Sequence, residues 1–184
     1  MPLLPAETSI YPECLLDEPP MAPPRRWFVL YTKARQEKAV ARDLLAHQVP
    51  FYLPLVKKTT VAHGRRRSSF APLFGGYVFL YGNEEERVRS LTTNRISRVL
   101  PVADPNQLAY DLRQIRQLIA ADVPLTVESR IGPGQRVRVR QGVFAGIEGV
   151  VLKRRGETRL LVSVDFLQQG ASVEIDDFLL DSLA

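Results

Sequence analysis

The sequence predicts an α+β protein, in which a ferredoxin-like N-terminal domain is joined to a small SH3-like β-barrel. Up to residue 121 the apolar residues give the element order β-α-β-β-β-α-β-α, typical of an open sheet with packed helices. After residue 132 the apolar period changes to two, which is typical of a barrel of short strands. We therefore divide the chain into a proline-rich disordered tail (1–24), an N-terminal domain (25–121), a linker (122–132) and a C-terminal domain (133–184).

Composition excludes several classes of protein. Apolar residues make up 45% and charged residues 24% of the 184 residues, which is ordinary for a folded soluble chain. No run approaches the roughly 18 apolar residues of a membrane span, and the N-terminus is acidic where a signal peptide is basic. The single cysteine allows no intrachain disulfide, and His47 and His63 lack metal-ligand spacing. We expect a cytoplasmic protein with no cofactor and no metal ion, and a monomer.

The charge is concentrated in the middle of the chain. Residues 1–24 carry four acidic residues and no Lys or Arg, whereas residues 25–121 carry 17 basic and 7 acidic residues. Residues 122–184 are nearly balanced, with 8 basic and 9 acidic residues. The net charge of +10 in the middle block indicates a polyanionic partner, because neutralising phosphates releases counterions. A basic domain with no nucleic-acid role is the alternative at this point.

The first 24 residues contain seven of the fourteen prolines, which remove backbone donors and disfavour helices and central strands. This composition predicts a disordered or extended tail. Its few apolar residues belong either to a passive tail or to a short docking motif; they are Ile10, Tyr11, Leu15 and Leu16.

Residues 25–121 alternate between strand and helix patterns. Apolar, aromatic and β-branched runs predict strands, and apolar residues three or four positions apart predict helices. The predicted elements are a strand at 27–31, a helix at 35–48, a strand at 51–62 interrupted by Pro54, a hairpin turn at 63–67, a strand at 76–81, a helix at 84–91, a strand at 98–100 and a helix at 105–120. The last helix has the clearest period, carried by Leu108, Leu112, Ile115 and Ile119.

The C-terminal domain begins with a strict alternation of arginine and valine over residues 136–140, so that one face of this strand is buried. Several glycines and three further apolar, β-branched stretches follow. The pattern predicts a five-stranded barrel with no helix longer than one turn.

Two motifs carry a resemblance to a known family. Residues 27–33 together with residues 73–79 resemble the N-terminal (NGN) domain of NusG-type transcription elongation and antitermination factors. Residues 134–139 followed by 142–151 are similar to a KOW motif. The two motifs span residues 26–184, and the NGN half is most similar to RfaH-type specialised paralogues. Gly75 stands where the family usually has a proline.

The resemblance implies a factor that binds RNA polymerase at the β′ clamp helices, bridges the cleft and suppresses pausing or termination, as an operon-dedicated paralogue. It places five residues in or beside the polymerase-binding patch: Tyr31, Leu73, Phe74, Tyr77 and Phe79. Side chains alternate along a strand, so Tyr77 and Phe79 share one face, and Val78 and Leu80 share the other. We expect Val78 and Leu80 in the core and Tyr31, Tyr77 and Phe79 at the interface; the alternative is that all of them are core residues.

Relatives hold the exposed non-template DNA strand of the transcription bubble on a basic surface. The resemblance implies a nucleic-acid-binding role for seven residues: Lys33, Arg35, Arg65, Arg66, Arg67, Asn94 and Arg95. The alternative is a solvated basic rim with no ligand. The His-Thr-Thr element of RfaH-type factors, which touches the opposite polymerase wall, is not reproduced at the corresponding residues 86–88.

The resemblance also implies that the KOW domain binds a small-subunit ribosomal protein or the termination factor Rho. The residues implied in this contact are Phe144, Ile147, Phe166 and Leu167. The alternative for Phe144 is a plug at the barrel end. RfaH refolds this domain as a helical hairpin, but the glycines and β-branched residues here oppose a helix. We predict a barrel without a helical alternative.

Other functional classes are less consistent with the sequence. It contains no nucleophile–base–acid set and no phosphate-cradling loop before a helix, so an enzyme and catalytic residues are not predicted. The main alternative is a KOW-containing module that binds RNA or the ribosome and does not act on polymerase. Such a module would not need the Tyr77/Phe79 patch. The sequence does not separate a pause-suppressing factor from a pro-pausing one.

Overall fold

The computed structural model describes residues 7–132 and 134–183, apart from the side chain of Phe178. Its contacts divide the chain into two units, with the division after Pro105. Among the helices in the described ranges, none is long and apolar enough to cross a membrane.

The first unit contains one antiparallel sheet, a separate two-stranded hairpin and two helices. Its elements in chain order are β1 (Ile10–Tyr11), β2 (Arg26–Thr32), α1 (Glu37–Ala46), β3 (Phe51–Tyr52), β4 (Leu55–Ala62), β5 (Arg65–Pro72), β6 (Tyr77–Gly82), α2 (Glu84–Thr92) and β7 (Ile96–Pro101). The sheet has the strand order β1-β3-β6-β2-β7, while β4 and β5 pair only with each other. The α+β class predicted from the sequence is confirmed.

One face of this sheet carries a large cluster of buried hydrophobic residues. Phe28 and Leu30 of β2 pack there with Val78 and Leu80 of β6, and α1 contributes Val40, Ala41 and Leu44 to the same cluster. The register explains this grouping, because Phe28 lies opposite Leu80 and Leu30 lies opposite Val78. The expectation that Val78 and Leu80 face the core is therefore correct.

The N-terminal segment differs from the disordered tail that its prolines predict. Residues 9–16 are folded against the rest of the first unit: β1 pairs with β3, and the Leu53 N–H donates to the Ser9 carbonyl at 2.6 Å. Leu15 and Leu16 are 0% and 1% exposed. Prolines limit helices and central strands, but they do not prevent an edge strand or the burial of leucines between them. The apolar residues of this segment therefore dock on the chain itself.

The second unit contains a helix and a six-stranded antiparallel sheet. Its elements are α3 (Pro105–Ala120), β8 (Thr126–Glu128), β9 (Arg136–Val139), β10 (Glu148–Arg154), β11 (Glu157–Val164), β12 (Gln169–Glu174) and β13 (Leu180–Ser182), with two short 3-10 turns at Asp165–Leu167 and Asp177–Leu179. The strand order is β13-β9-β10-β11-β12-β8. The sheet thus has six strands rather than the predicted five, since part of the predicted linker forms β8 and pairs with β12.

The alternation in β9 is as predicted. Val137 and Val139 are buried, while Arg136, Arg138 and Arg140 are exposed. The contacts group α3 with the barrel strands, whereas the sequence pattern assigns this helix to the N-terminal domain. The domain boundary at residue 121 stays a prediction.

Candidate polymerase and nucleic-acid interfaces

Two tyrosines form an exposed aromatic pair at the end of β2 and the start of β6. Tyr31 lies directly opposite Tyr77 in the strand register, and their ring centroids are 5.2 Å apart with the planes inclined by 49°. Tyr31 is 40% exposed and Tyr77 is half-buried. A paired, partly exposed aromatic surface offers a large contact area at low entropic cost, which suits a protein interface.

The backbone of Gly76 lies directly against the ring of Tyr31. A Cβ atom at this position would lie 3.1 Å from the Cε2 atom of Tyr31. The Gly76 N–H donates to the Glu37 carboxylate at 2.6 Å, and its carbonyl accepts from the Thr32 N–H at 2.8 Å. The tyrosine ring therefore rests on a backbone segment that is fixed from both sides.

The other members of the predicted patch are not on the surface. Leu73, Phe74 and Phe79 are 3%, 1% and 0% exposed. Strand alternation places Phe79 on the face of Tyr77, as predicted, but it does not decide which parts of that face are covered. Of the five predicted residues, Tyr31 and Tyr77 have accessible side chains in this structure.

Four of the predicted nucleic-acid-binding residues lie where β2 ends and β7 begins. The Lys33 ammonium donates to the Asn94 side-chain oxygen at 2.9 Å, and the Lys33 N–H donates to the Arg95 carbonyl at 2.8 Å. Arg35 is exposed nearby in sequence, and both it and Asn94 adopt left-handed backbone conformations. We call Lys33, Arg35, Asn94 and Arg95 the strand-end cluster.

Arg95 is partly neutralised by α1. Its guanidinium donates to the Asp43 carboxylate at 3.1 Å and to the Gln36 side-chain oxygen at 2.7 Å. Arg95 therefore links α1 to β7, and Lys33 and Arg35 carry the more available positive charge of the strand-end cluster.

The remaining three predicted residues, Arg65, Arg66 and Arg67, lie on a different part of the unit. They begin β5, directly after a two-residue turn at His63 and Gly64. Both turn residues have positive φ, which gives the twist that tight hairpins require. All three arginines are exposed.

The four barrel residues predicted to bind a partner differ in how far their side chains are buried. Phe144 and Ile147 are 7% and 0% exposed, whereas Phe166 and Leu167 are half-buried. The loop that carries Phe144 is contacted by α3, because the Gln117 side chain donates to the Ala145 carbonyl at 3.0 Å.

Helix α3 makes further polar contacts with the barrel. The Tyr110 hydroxyl donates to Glu148 at 2.9 Å, and the Asp165 N–H donates to Asp111 at 3.0 Å. Hydrogen bonds from Arg138 and Tyr110 hold the pKa of Glu148 below its usual value. Burial, followed by the bond to Glu148, raises the pKa of Tyr110. These contacts give the second unit its own internal polar framework.

Comparison with known proteins decides the family. Residues 25–116, half of the chain, match the family model described as "Transcription termination factor nusG". The chain belongs to the NusG family. The matched range includes the tyrosine pair and the strand-end cluster.

Named relatives of this NusG-family chain cover most of its length. The transcription termination/antitermination protein NusG of Escherichia coli K12 is 28% identical over 175 residues, covering 84% of this chain and 94% of that protein. NusG of Buchnera aphidicola is 26% identical and covers 83% and 93% of the two chains. A solved structure of Thermotoga maritima NusG covers 87% and 98% at 16% identity, with a TM-score of 0.47.

The sequence did not indicate several residues that shape these surfaces of the NusG-family chain. Glu37 binds the Gly76 backbone 39 positions away, and Asp43 neutralises Arg95 across 52 positions. An acidic residue in the first turn of a helix is expected from the helix dipole alone. No local pattern pointed to these distant partners.

Proposed function

We propose that this NusG-family protein binds RNA polymerase at the β′ clamp helices, bridges the cleft and suppresses pausing or termination. We further propose that it acts as an operon-dedicated paralogue. The observation that best supports the proposal is the partly exposed Tyr31–Tyr77 pair within the NGN half of the chain. The general role in transcription termination or antitermination follows from the family.

Tyr31 and Tyr77 are the proposed polymerase contacts. Tyrosine combines an apolar ring with a polar tip, and it is enriched among the residues that dominate interface energies. Leu73, Phe74 and Phe79 have almost no exposed surface to offer a partner. We therefore narrow the proposed contact to the tyrosine pair and the residues at its rim.

The strand-end cluster is the proposed contact for the non-template DNA strand. Lys33 and Arg35 supply positive charge, and Asn94 supplies a side-chain amide for contacts with the strand. For the KOW barrel, a small-subunit ribosomal protein or Rho is the proposed partner. Phe166 and Leu167 are the more accessible of the four residues assigned to that contact.

Single-round transcription with purified polymerase tests the functional proposal. On a template with a defined pause, the wild-type protein is expected to shorten the pause, and Tyr77→Ala is expected to lose this effect. Val143→Ala provides a matched control, because Val143 is 70% exposed but lies on the barrel. Pauses that lengthen with the wild-type protein would overturn the pause-suppression claim, and pauses that never change would overturn action on polymerase.

A further inference from the structure

The hairpin formed by β4 and β5 is a basic ribbon that does not join the sheet of the first unit. Its two strands pair only with each other, and residues 57–67 are exposed. Residues 55–72 contain five lysines and arginines and no acidic residue. The ribbon therefore contains no acidic side chain that could neutralise its positive charge.

The strand register sorts the five cations onto two faces. Directly paired residues of an antiparallel ribbon project on the same side, and successive residues alternate between sides. One face is built from the pairs Lys58–Ser69, Thr60–Arg67 and Ala62–Arg65. The opposite face is built from the pairs Lys57–Phe70, Thr59–Ser68 and Val61–Arg66. We call the first, with Lys58, Arg65 and Arg67, the three-cation face.

The chemistry of the three-cation face favours phosphate contacts. Arg65 and Arg67 are two residues apart on one strand, which separates their Cα atoms by roughly 6.5 Å. The other side chains of this face are small: Thr60, Ala62 and Ser69. The long cationic side chains of Lys58, Arg65 and Arg67 therefore extend beyond the short side chains around them.

The same face lacks what a single-stranded ligand needs. Proteins that hold single strands combine positive charge with aromatic side chains on which bases stack. The aromatic residue of the ribbon, Phe70, lies on the opposite face. In addition, a two-stranded ribbon has dimensions that the major groove of B-form DNA admits.

We propose that the three-cation face of the β4–β5 ribbon binds the phosphate backbone of double-stranded DNA. The proposal rests on the proposed function in one respect, since a factor on transcribing polymerase works beside duplex DNA. It assigns Arg65 and Arg67 to the duplex rather than to the bubble strand and adds Lys58 to the nucleic-acid contacts. Arg66, on the opposite face, does not take part.

Two charge-matched double variants of the full-length protein test this assignment. Arg65→Gln/Arg67→Gln removes two cations from the three-cation face, and Lys57→Gln/Arg66→Gln removes two from the opposite face. Binding to a fluorescein-labelled B-form duplex of mixed sequence is measured by anisotropy over a range of KCl concentrations, without polymerase. All four positions are exposed, and circular dichroism confirms that the variants are folded.

The salt dependence gives the expected difference. The slope of log K against log salt is negative, and each lost phosphate contact reduces its magnitude by about 0.9. The Arg65/Arg67 variant should therefore lose about 1.8 from this slope, whereas the Lys57/Arg66 variant should keep the wild-type slope. Adding Lys58→Gln to the first variant should remove about 0.9 more.

Two results would overturn the proposal. Equal losses in the two double variants would show that the faces do not differ. A loss confined to a single strand of the same length, with duplex binding unchanged, would assign these arginines to the bubble strand. Because the assay contains no polymerase, a negative result here leaves the tyrosine contact untouched, and failure of that contact leaves this test valid.

Discussion

At the scale of single residues, Gly76 determines where the tyrosine pair can lie. Its φ of +87° belongs to the left-handed region that favours glycine, and the Tyr31 ring occupies the space that a Cβ would need. The neighbouring Gly75 has neither constraint, because nothing lies within 4 Å of its Cβ position. The family's usual proline is thus replaced at the position that tolerates change.

We predict that Gly76→Ala destabilises the protein by about 1–3 kcal/mol, since it adds backbone strain to a tight contact. Gly75→Ala, the matched control, should change the free energy of unfolding by less than about 0.5 kcal/mol. Urea denaturation of both variants measures the difference. Equal effects at the two positions would show that the close approach of Tyr31 to Gly76 is not present.

At the scale of elements, α2 is fixed by its first turn. The Asn83 side chain accepts from the Glu86 N–H, and the Glu86 carboxylate accepts from the Asn83 N–H, forming a capping box. The Arg25 guanidinium donates two further hydrogen bonds to Glu86, at 2.8 and 3.1 Å. This cap therefore ties the helix to the residue that precedes β2.

Glu86→Gln should lower the free energy of unfolding at pH 7 by about 1–2 kcal/mol, because it removes the charge that Arg25 binds. Glu85→Gln serves as a control, since that side chain is 79% exposed and should change stability by less than about 0.5 kcal/mol. Chemical denaturation of both variants provides the measurement. A Glu86→Gln effect as small as that of the control would contradict the claim that the Arg25–Glu86 ion pair stabilises the fold.

The Glu86 effect should also depend on pH. Burial alone would raise the pKa of Glu86, but the hydrogen bonds from Arg25 and Asn83 hold it below the usual value. A lowered folded-state pKa stabilises the fold above the unfolded-state value of about 4.3, and this stabilisation is lost as pH falls through the folded-state value. The difference between wild type and Glu86→Gln should therefore shrink below about pH 4. Denaturation curves in which it grows on acidification would contradict this sign.

The N-terminal segment gives a third prediction at this scale. Leu16→Ala should destabilise the protein by about 2–5 kcal/mol, because it empties a fully buried site. Met21→Ala, in the same segment but 87% exposed, should have an effect below about 0.5 kcal/mol. Thermal or urea unfolding compares the two variants. If neither has an effect, residues 7–24 are the disordered tail that the proline content predicts.

At the scale of the whole molecule, the resemblance offers two folds for the KOW domain, because RfaH refolds this domain as a helical hairpin. Residues 136–176 are strands, loops and one 3-10 turn in this structure. We predict β-type backbone chemical shifts for this range in the free, full-length protein in solution. Helical shifts over the same residues would show an RfaH-like alternative fold.

Sequence patterns predicted the local structure better than the long-range contacts. The predicted 105–120 helix matches α3, and the Pro54 interruption separates β3 from β4, because both signals are local. The burial of Leu15, Leu16 and Phe79 depends on what covers them, which no local period encodes. The Asp43 partner of Arg95, 52 positions away in sequence, was missed for the same reason.

The central claim is that the tyrosine pair is the polymerase contact, and a binding titration with core RNA polymerase tests it most directly. Wild-type protein should bind the polymerase, and Tyr77→Ala should bind at least about tenfold more weakly while losing only about 1 kcal/mol of stability. Equal affinities of the two proteins would place the interface elsewhere. Binding by neither protein would contradict polymerase binding and favour an RNA- or ribosome-binding module.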